Sequence, residues 1–145
     1  LVFQPESWNV AQAVTVTGHS DNVVDGDQVV GIFLSTSSSD ANYAASSFAP
    51  VRVNATNKDI DAAGLMVSAA AVTTTEAGGQ DTFSVWLSSR PLHAVTVLVA
   101  SERSSEVTAS PTNLVFQPES WNVAQAVTVT GHSDNVVDGD QVVGI

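Results

Sequence analysis

The sequence contains no cysteine, which excludes a disulfide framework, a thiolate nucleophile and a Cys-ligated zinc or iron–sulfur site. Cations are almost as scarce. Arg52, Lys58, Arg90 and Arg103 stand against 15 Asp and Glu, giving a formal charge of -11. Nucleic-acid affinity is built from Lys and Arg neutralising phosphates, so neither nucleic acid nor an anionic membrane surface suits this chain as a partner. No apolar run approaches the roughly 20 residues needed to cross a bilayer, and membrane insertion of this segment is not expected. No basic stretch or cleavage pattern opens the chain at Leu1, and the expected reading is an internal piece of something longer. Charged residues are only 13% of the total while hydrophobic residues are 43%. The polar faces are therefore left to Ser, Thr, Asn and Gln, as on many secreted β-proteins.

What the sequence does have is a repeat. Residues 1–32, LVFQPESWNVAQAVTVTGHSDNVVDGDQVVGI, recur unchanged as residues 114–145, an offset of 113 residues. A period of that length is too long for a solenoid turn and fits one β-sandwich domain. The acidic, Ala/Gly-containing segment 57–64 (NKDIDAAG) has the composition of a linker and separates two strand-like blocks. Placing the boundary there makes residues 1–61 the C-terminal part of one repeat, 62–64 the connection, and 65–145 the N-terminal part of the next. The chain is then cut out of phase with its domains.

Hydrophobicity alternates with period two, the signature of half-buried strands. Strands are expected at residues 13–17, 28–36, 50–56, 65–69, 80–88, 94–100, 114–116, 126–130 and from Gln141 onward. Turns are expected at Gly78-Gly79, Arg90-Pro91, Ser110-Pro111, Gln117-Pro118 and Asp138-Gly139. No stretch longer than about one turn has an apolar helical period. About seven strands per period predict an all-β, immunoglobulin-like antiparallel sandwich.

Four local sequences in order carry a family resemblance: residues 73–85 (TTTEAGGQDTFSV), the LVFQPESWNVAQAVTVTG stretch, residues 132–143 (HSDNVVDGDQVV) and residues 57–61 (NKDID). Together they resemble the Calx-β family and the Calx-β-like tandem repeats of large extracellular proteins. The resemblance implies a seven-stranded immunoglobulin-like sandwich without a disulfide. It also implies calcium held by a first-strand Glu, an acidic loop and a terminal acidic run. Carried over, the ligands would be Glu76, then Asp134 and Asp138 with their repeats Asp21 and Asp25, then Asp59 and Asp61. Clustered carboxylates at loop tips suit an ion that takes six to eight oxygens. The sequence departs from the pattern at Asn22 and Gln28, repeated as Asn135 and Gln141, and at Lys58, each of which weakens the field for a divalent cation. The same acids also read as turn formers whose side chains bond nearby backbone N–H groups.

Other residues give weaker signals. Ser, His and Asp lie side by side in residues 18–21 (GHSD), but neighbours on a strand point to opposite faces and cannot form a nucleophilic relay. His93 has no partner at metal-ligand spacing. Trp86 reads as core, while Trp8 and Trp121 in the PESWN turn read as end plugs of a sandwich, with stacking on a sugar as the alternative. Asn54 heads an N-glycosylation sequon, Asn54-Ala55-Thr56.

With no convergent acid, base or nucleophile, no enzymatic activity is expected. The reading is a non-catalytic structural repeat of a long extracellular or cell-surface fibrous protein, such as an adhesin stalk or a surface-appendage filament like an algal flagellar hair. The alternative is a glycan- or protein-binding sandwich module. Because the chain is out of phase, its strands are expected to be completed by neighbouring repeats or by other copies of the chain. The connection from Asp61 to Leu65 reaches at most about 14 Å, too short to return a last strand to the start of its own sandwich.

Overall fold

A computed structural model describes residues 1–47, 49–137 and 139–145. Among the described residues all regular structure is antiparallel β apart from a single 3-10 turn at Ala41–Tyr43. No helix among the described residues is long and apolar enough to cross a membrane. The chain divides into two compact units. Unit 1 comprises Leu1–Ser20 and Asp25–Asp59, and unit 2 comprises Asp21–Val24 and Ile60–Ile145.

Among its described residues unit 2 holds six strands: β3 (Leu65–Val67), β4 (Gln80–Leu87), β5 (Val95–Leu98), β6 (Val107–Ser110), β7 (Asn113–Phe116) and β8 (Gln125–Gly131). Four of them form a sheet in the order β3-β4-β8-β6, and β5 pairs with β7 in a second sheet. Alternation places the core. Val85 and Leu87 on β4, Val127 and Val129 on β8, and Leu114 and Phe116 on β7 are buried, whereas Asn113 and Val115, which alternate with the last two, face solvent. Buried residues from both sheets join in one cluster, against which Phe83, Trp86, Val95, Val97 and Trp121 pack. The packing is therefore sandwich-like, and each fully buried Val or Phe contributes about 1.5–3 kcal/mol of transfer free energy.

Glycine is required where β8 runs past the turn before β4. The Gly131 N–H donates to the Gly79 carbonyl at 3.0 Å. A Cβ on Gly131 would lie 2.4 Å from the Thr75 carbonyl oxygen, so only a residue without a side chain lets β8 run past this turn. The Ser110-Pro111 peptide, which is cis, turns the chain from β6 in one sheet to β7 in the other.

Among its described residues unit 1 holds two strands, β1 (Gln28–Leu34) and β2 (Val51–Asn57), paired with each other from Gln28↔Asn57 to Leu34↔Val51. Residues 1–20 form no strand. This corrects the expectation of a strand at residues 13–17, and the reason is visible in the repeat. Residues 12–18 and β8 share the sequence QAVTVTG, but β8 lies between β4 and β6. Among the described residues of unit 1 no strand pairs with residues 12–18. Val127 is 0% exposed and its equivalent Val14 is 55% exposed; Phe116 is 0% exposed and Phe3 is 54% exposed. The converse holds at the other end of the repeated segment. Residues 28–32 (QVVGI) lie in β1 against β2, while residues 141–145, the same sequence, form no strand. The strand expected from Gln141 onward is thus absent for want of a partner.

One strand was not anticipated. β6 is four residues long and half-buried, too short to declare a period of its own. With it, one period from Gln28 to Asp140 contains eight strands among the described residues, where about seven were expected.

Candidate functional site

The acids singled out from the sequence separate into three local arrangements. Asp21 accepts the Val23 N–H at 3.0 Å, and its repeat Asp134 accepts the Val136 N–H at 2.8 Å. Asn22 and Asn135 follow with φ of 64° and 62°, the left-handed region that Asn tolerates better than other side chains. Both repeats therefore fold the same local turn, closed by an Asp carboxylate two residues back. Turn formation is the role the geometry displays for this pair.

In unit 1 the segment after β2 folds against the segment before β1. The Asp59 carboxylate accepts the Gly26 N–H at 2.7 Å and the Asp25 N–H at 3.1 Å. In return, the Asp59 N–H donates to Asp27 at 3.0 Å, and Lys58 forms an ion pair with Asp27 at 2.5 Å. The Lys58 hydrogen bond, seconded by the Asp59 N–H, holds the Asp27 carboxyl below its ordinary range, and the same contact raises the Lys58 ammonium. The Asp59 carboxylate thus meets the Asp25 backbone N–H, not the Asp25 carboxylate, with a lysine as neighbour. Asp27, which supplies the link, was overlooked in the sequence because a single Asp in a DGD run looks like turn chemistry alone.

Glu76 stands exposed in the turn preceding β4, and Asp61 lies on the approach to β3 in unit 2. Asp138 falls outside the described residues. Among the described residues no three of His, Cys, Asp and Glu are grouped closely enough to hold a metal ion. A second overlooked acid is Asp81 at the start of β4. Its carboxylate accepts the Thr73 N–H at 3.0 Å and the Thr82 N–H at 2.8 Å, and these bonds, Thr73 first, hold it below the ordinary carboxylate range. One donor, Thr82, is the next residue, but the other, Thr73, lies eight residues back across the turn before β4, and no local sequence signal marks that pairing.

The remaining candidates are placed as follows. Trp86 and Trp121 pack against the buried cluster of unit 2, while Trp8 is 72% exposed. Asn54 is exposed at the centre of β2 opposite Gly31. His93 is exposed in the connection before β5. His132 hydrogen-bonds through Nε2 to Thr108 Oγ1 at 2.7 Å, a contact that ties the end of β8 to β6.

A concavity in unit 2 holds about 540 Å³ and is lined by Val23, Val24, Leu65, Leu87, Val95 and Val97 among others. Its walls are mostly apolar, Ser89 and Arg90 being the polar side chains that line it, and no acid faces a base there. What such a surface can do is accept apolar side chains. No protein-family model matches this sequence, and neither a curated protein nor a solved structure matches it.

Proposed function

We propose that the chain is a non-catalytic structural repeat of a long extracellular or cell-surface fibrous protein, an adhesin stalk or a surface-appendage filament such as an algal flagellar hair. Its repeats are read as immunoglobulin-like, Calx-β-like seven-stranded sandwiches with the cut out of phase. One observation carries this reading. QAVTVTG is a buried central strand as β8 and an exposed unpaired segment as residues 12–18. A sequence that folds only beside the strands of its own period is suited to a tandem row, in which every period meets those strands. Extracellular placement rests on the Ser/Thr-rich surface and on the sequon at Asn54, whose side chain is exposed. Calcium at the acids of residues 57–61 and the adjoining loop would stiffen the connection between successive repeats by neutralising mutually repelling carboxylates.

The test is electron microscopy of a chain carrying several consecutive 113-residue periods. A row of globules, one per period, is the expected image, and a single compact particle would refute the reading. The alternative, a glycan- or protein-binding module, draws for its glycan form on the exposure of Trp8. Against it, the identical Trp121 packs on a core, so the exposure of Trp8 follows from missing neighbours. Glycan-array binding that is lost in Trp8→Ala with Trp121→Ala would reverse that preference.

A further inference from the structure

One turn occurs twice in the chain and ends in two different surroundings. Residues 19–24 and 132–137 both read HSDNVV. The two copies fold alike: Asp21 accepts the Val23 N–H at 3.0 Å and Asp134 accepts the Val136 N–H at 2.8 Å, with Asn22 and Asn135 in the left-handed region. The turn is closed by its own side chains, so it presents two adjacent valines whatever lies beside it. What lies beside it differs. Val23 is half-buried and Val24 is 47% exposed, whereas Val136 is 56% exposed and Val137 is fully exposed.

The cover on the first copy is the groove of unit 2. Asp21–Val24 belongs to unit 2, although the residues up to Ser20 and from Asp25 onward belong to unit 1. Val23 and Val24 line the groove with Leu65 of β3, Leu87 of β4, Val95 and Val97 of β5, and Leu92. The Arg90 N–H donates to the Asn22 carbonyl at 2.7 Å, which fixes the turn against the connection between β4 and β5. Val136 and Val137 follow β8 in the same unit and are not part of the groove lining. Unit 2 thus takes the valines of the turn one period upstream and leaves those of its own turn exposed.

We propose that this turn is a latch between successive repeats: the two valines of each HSDNVV copy seat in the groove of the unit that follows, and the Asn carbonyl accepts the Arg N–H of that unit. This deepens the repeat reading and rests on it. The chemistry matches, a pair of apolar side chains on mostly apolar walls. Both halves are shaped before they meet, the turn by its Asp and the groove by three strands, so little freedom is lost on seating. A row held only by the covalent connection at residues 57–64 would bend at each Ala/Gly-containing segment. A second, apolar contact at each junction removes that freedom. Turn and groove are different surfaces, so the contacts run head to tail along the row.

The duplicated turn supplies a matched test in the full-length chain. Exchange of the Arg90 amide proton, which the bond to the Asn22 carbonyl slows, is followed by NMR. Val23→Asp with Val24→Asp leaves Asp21 and Asn22 to close the turn but sets carboxylates against apolar walls, and should speed that exchange severalfold. Val136→Asp with Val137→Asp should leave it unaltered. Neither pair belongs to the buried cluster, so Trp86 and Trp121 fluorescence should stay unchanged in both variants. Equal Arg90 exchange in all three chains, fast or slow, would overturn the proposal. In the protein of several consecutive periods, the valine-to-aspartate pair is placed in every copy, and electron microscopy reads the angle between neighbouring globules. A wider spread of angles than in the unsubstituted row is expected. An unchanged spread would overturn the latch while the row, and with it the repeat reading, stands. A single compact particle in place of the unsubstituted row would instead end the repeat reading.

Discussion

The repeat provides a stability experiment with an internal control, because Val127→Ala and Val14→Ala make the same change in the same heptapeptide. Val127 is 0% exposed between β4 and β6. Truncation to Ala removes two carbons, about 1.6 kcal/mol of transfer free energy at ~0.8 kcal/mol each. The packed site cannot collapse fully, and a residual cavity of roughly 40 Å³ at ~24 cal/mol per Å³ adds about 1 kcal/mol. The sum, about 2–3 kcal/mol, lowers the melting temperature of a unit of this size by about 10–20 °C. Val14 is 55% exposed, and the same truncation there leaves no cavity and costs less than about 0.7 kcal/mol. The assay is thermal and urea unfolding of the full chain in a Trp8→Phe background, so that fluorescence reports Trp86 and Trp121, both packed on the unit 2 cluster. Val127→Ala is expected to shift the midpoint strongly and Val14→Ala hardly at all. Equal shifts would mean that residues 12–18 are folded as β8 is, and the account of the repeat given above would be wrong.

A second matched pair is Gly131→Ala and Gly18→Ala. The first drives a Cβ onto the Thr75 backbone carbonyl and should cost about 1–3 kcal/mol in urea unfolding, whereas the second meets the movable Asn57 side chain and should cost under about 0.5 kcal/mol. Asp81 is held below its ordinary 3.8 by backbone donors, so its contribution is fully present above that value and is lost as pH falls through the lower folded value. Melting temperature against pH should therefore drop less steeply on the acid side in Asp81→Asn than in the unsubstituted chain, and parallel curves would remove Asp81 as a cause. If the acids of the linker bind calcium, melting of a chain with a complete domain rises on adding the ion, by RT ln(1 + [L]/Kd). Asp59→Ala with Asp61→Ala should remove that rise while leaving the fold intact, and identical calorimetric traces with and without chelator would end the calcium proposal.

The sequence by itself determined the fold class and the periodicity. Alternation in QDTFSVWL and NLVF specifies which side of a strand can be buried, and this is a property of the local chain that needs no partner to be stated. The Gly-Gly turn before β4 and the Asp-Asn turns at residues 21–23 and 134–136 were legible for the same reason, since their backbone needs are satisfied within a few residues. Tertiary structure decided which capable segments become strands. A β-strand has no internal hydrogen bonds and forms only against a neighbour, so AVTVT is a core strand between β4 and β6 and bare chain at residues 13–17, with no difference in sequence to mark the distinction. The same dependence hid β6, whose four residues are ordered by pairing with β8. It also hid the roles of Asp27 and Asp81, whose partners Lys58, Asp59 and Thr73 lie across a loop or turn, at positions that only the folded chain brings near.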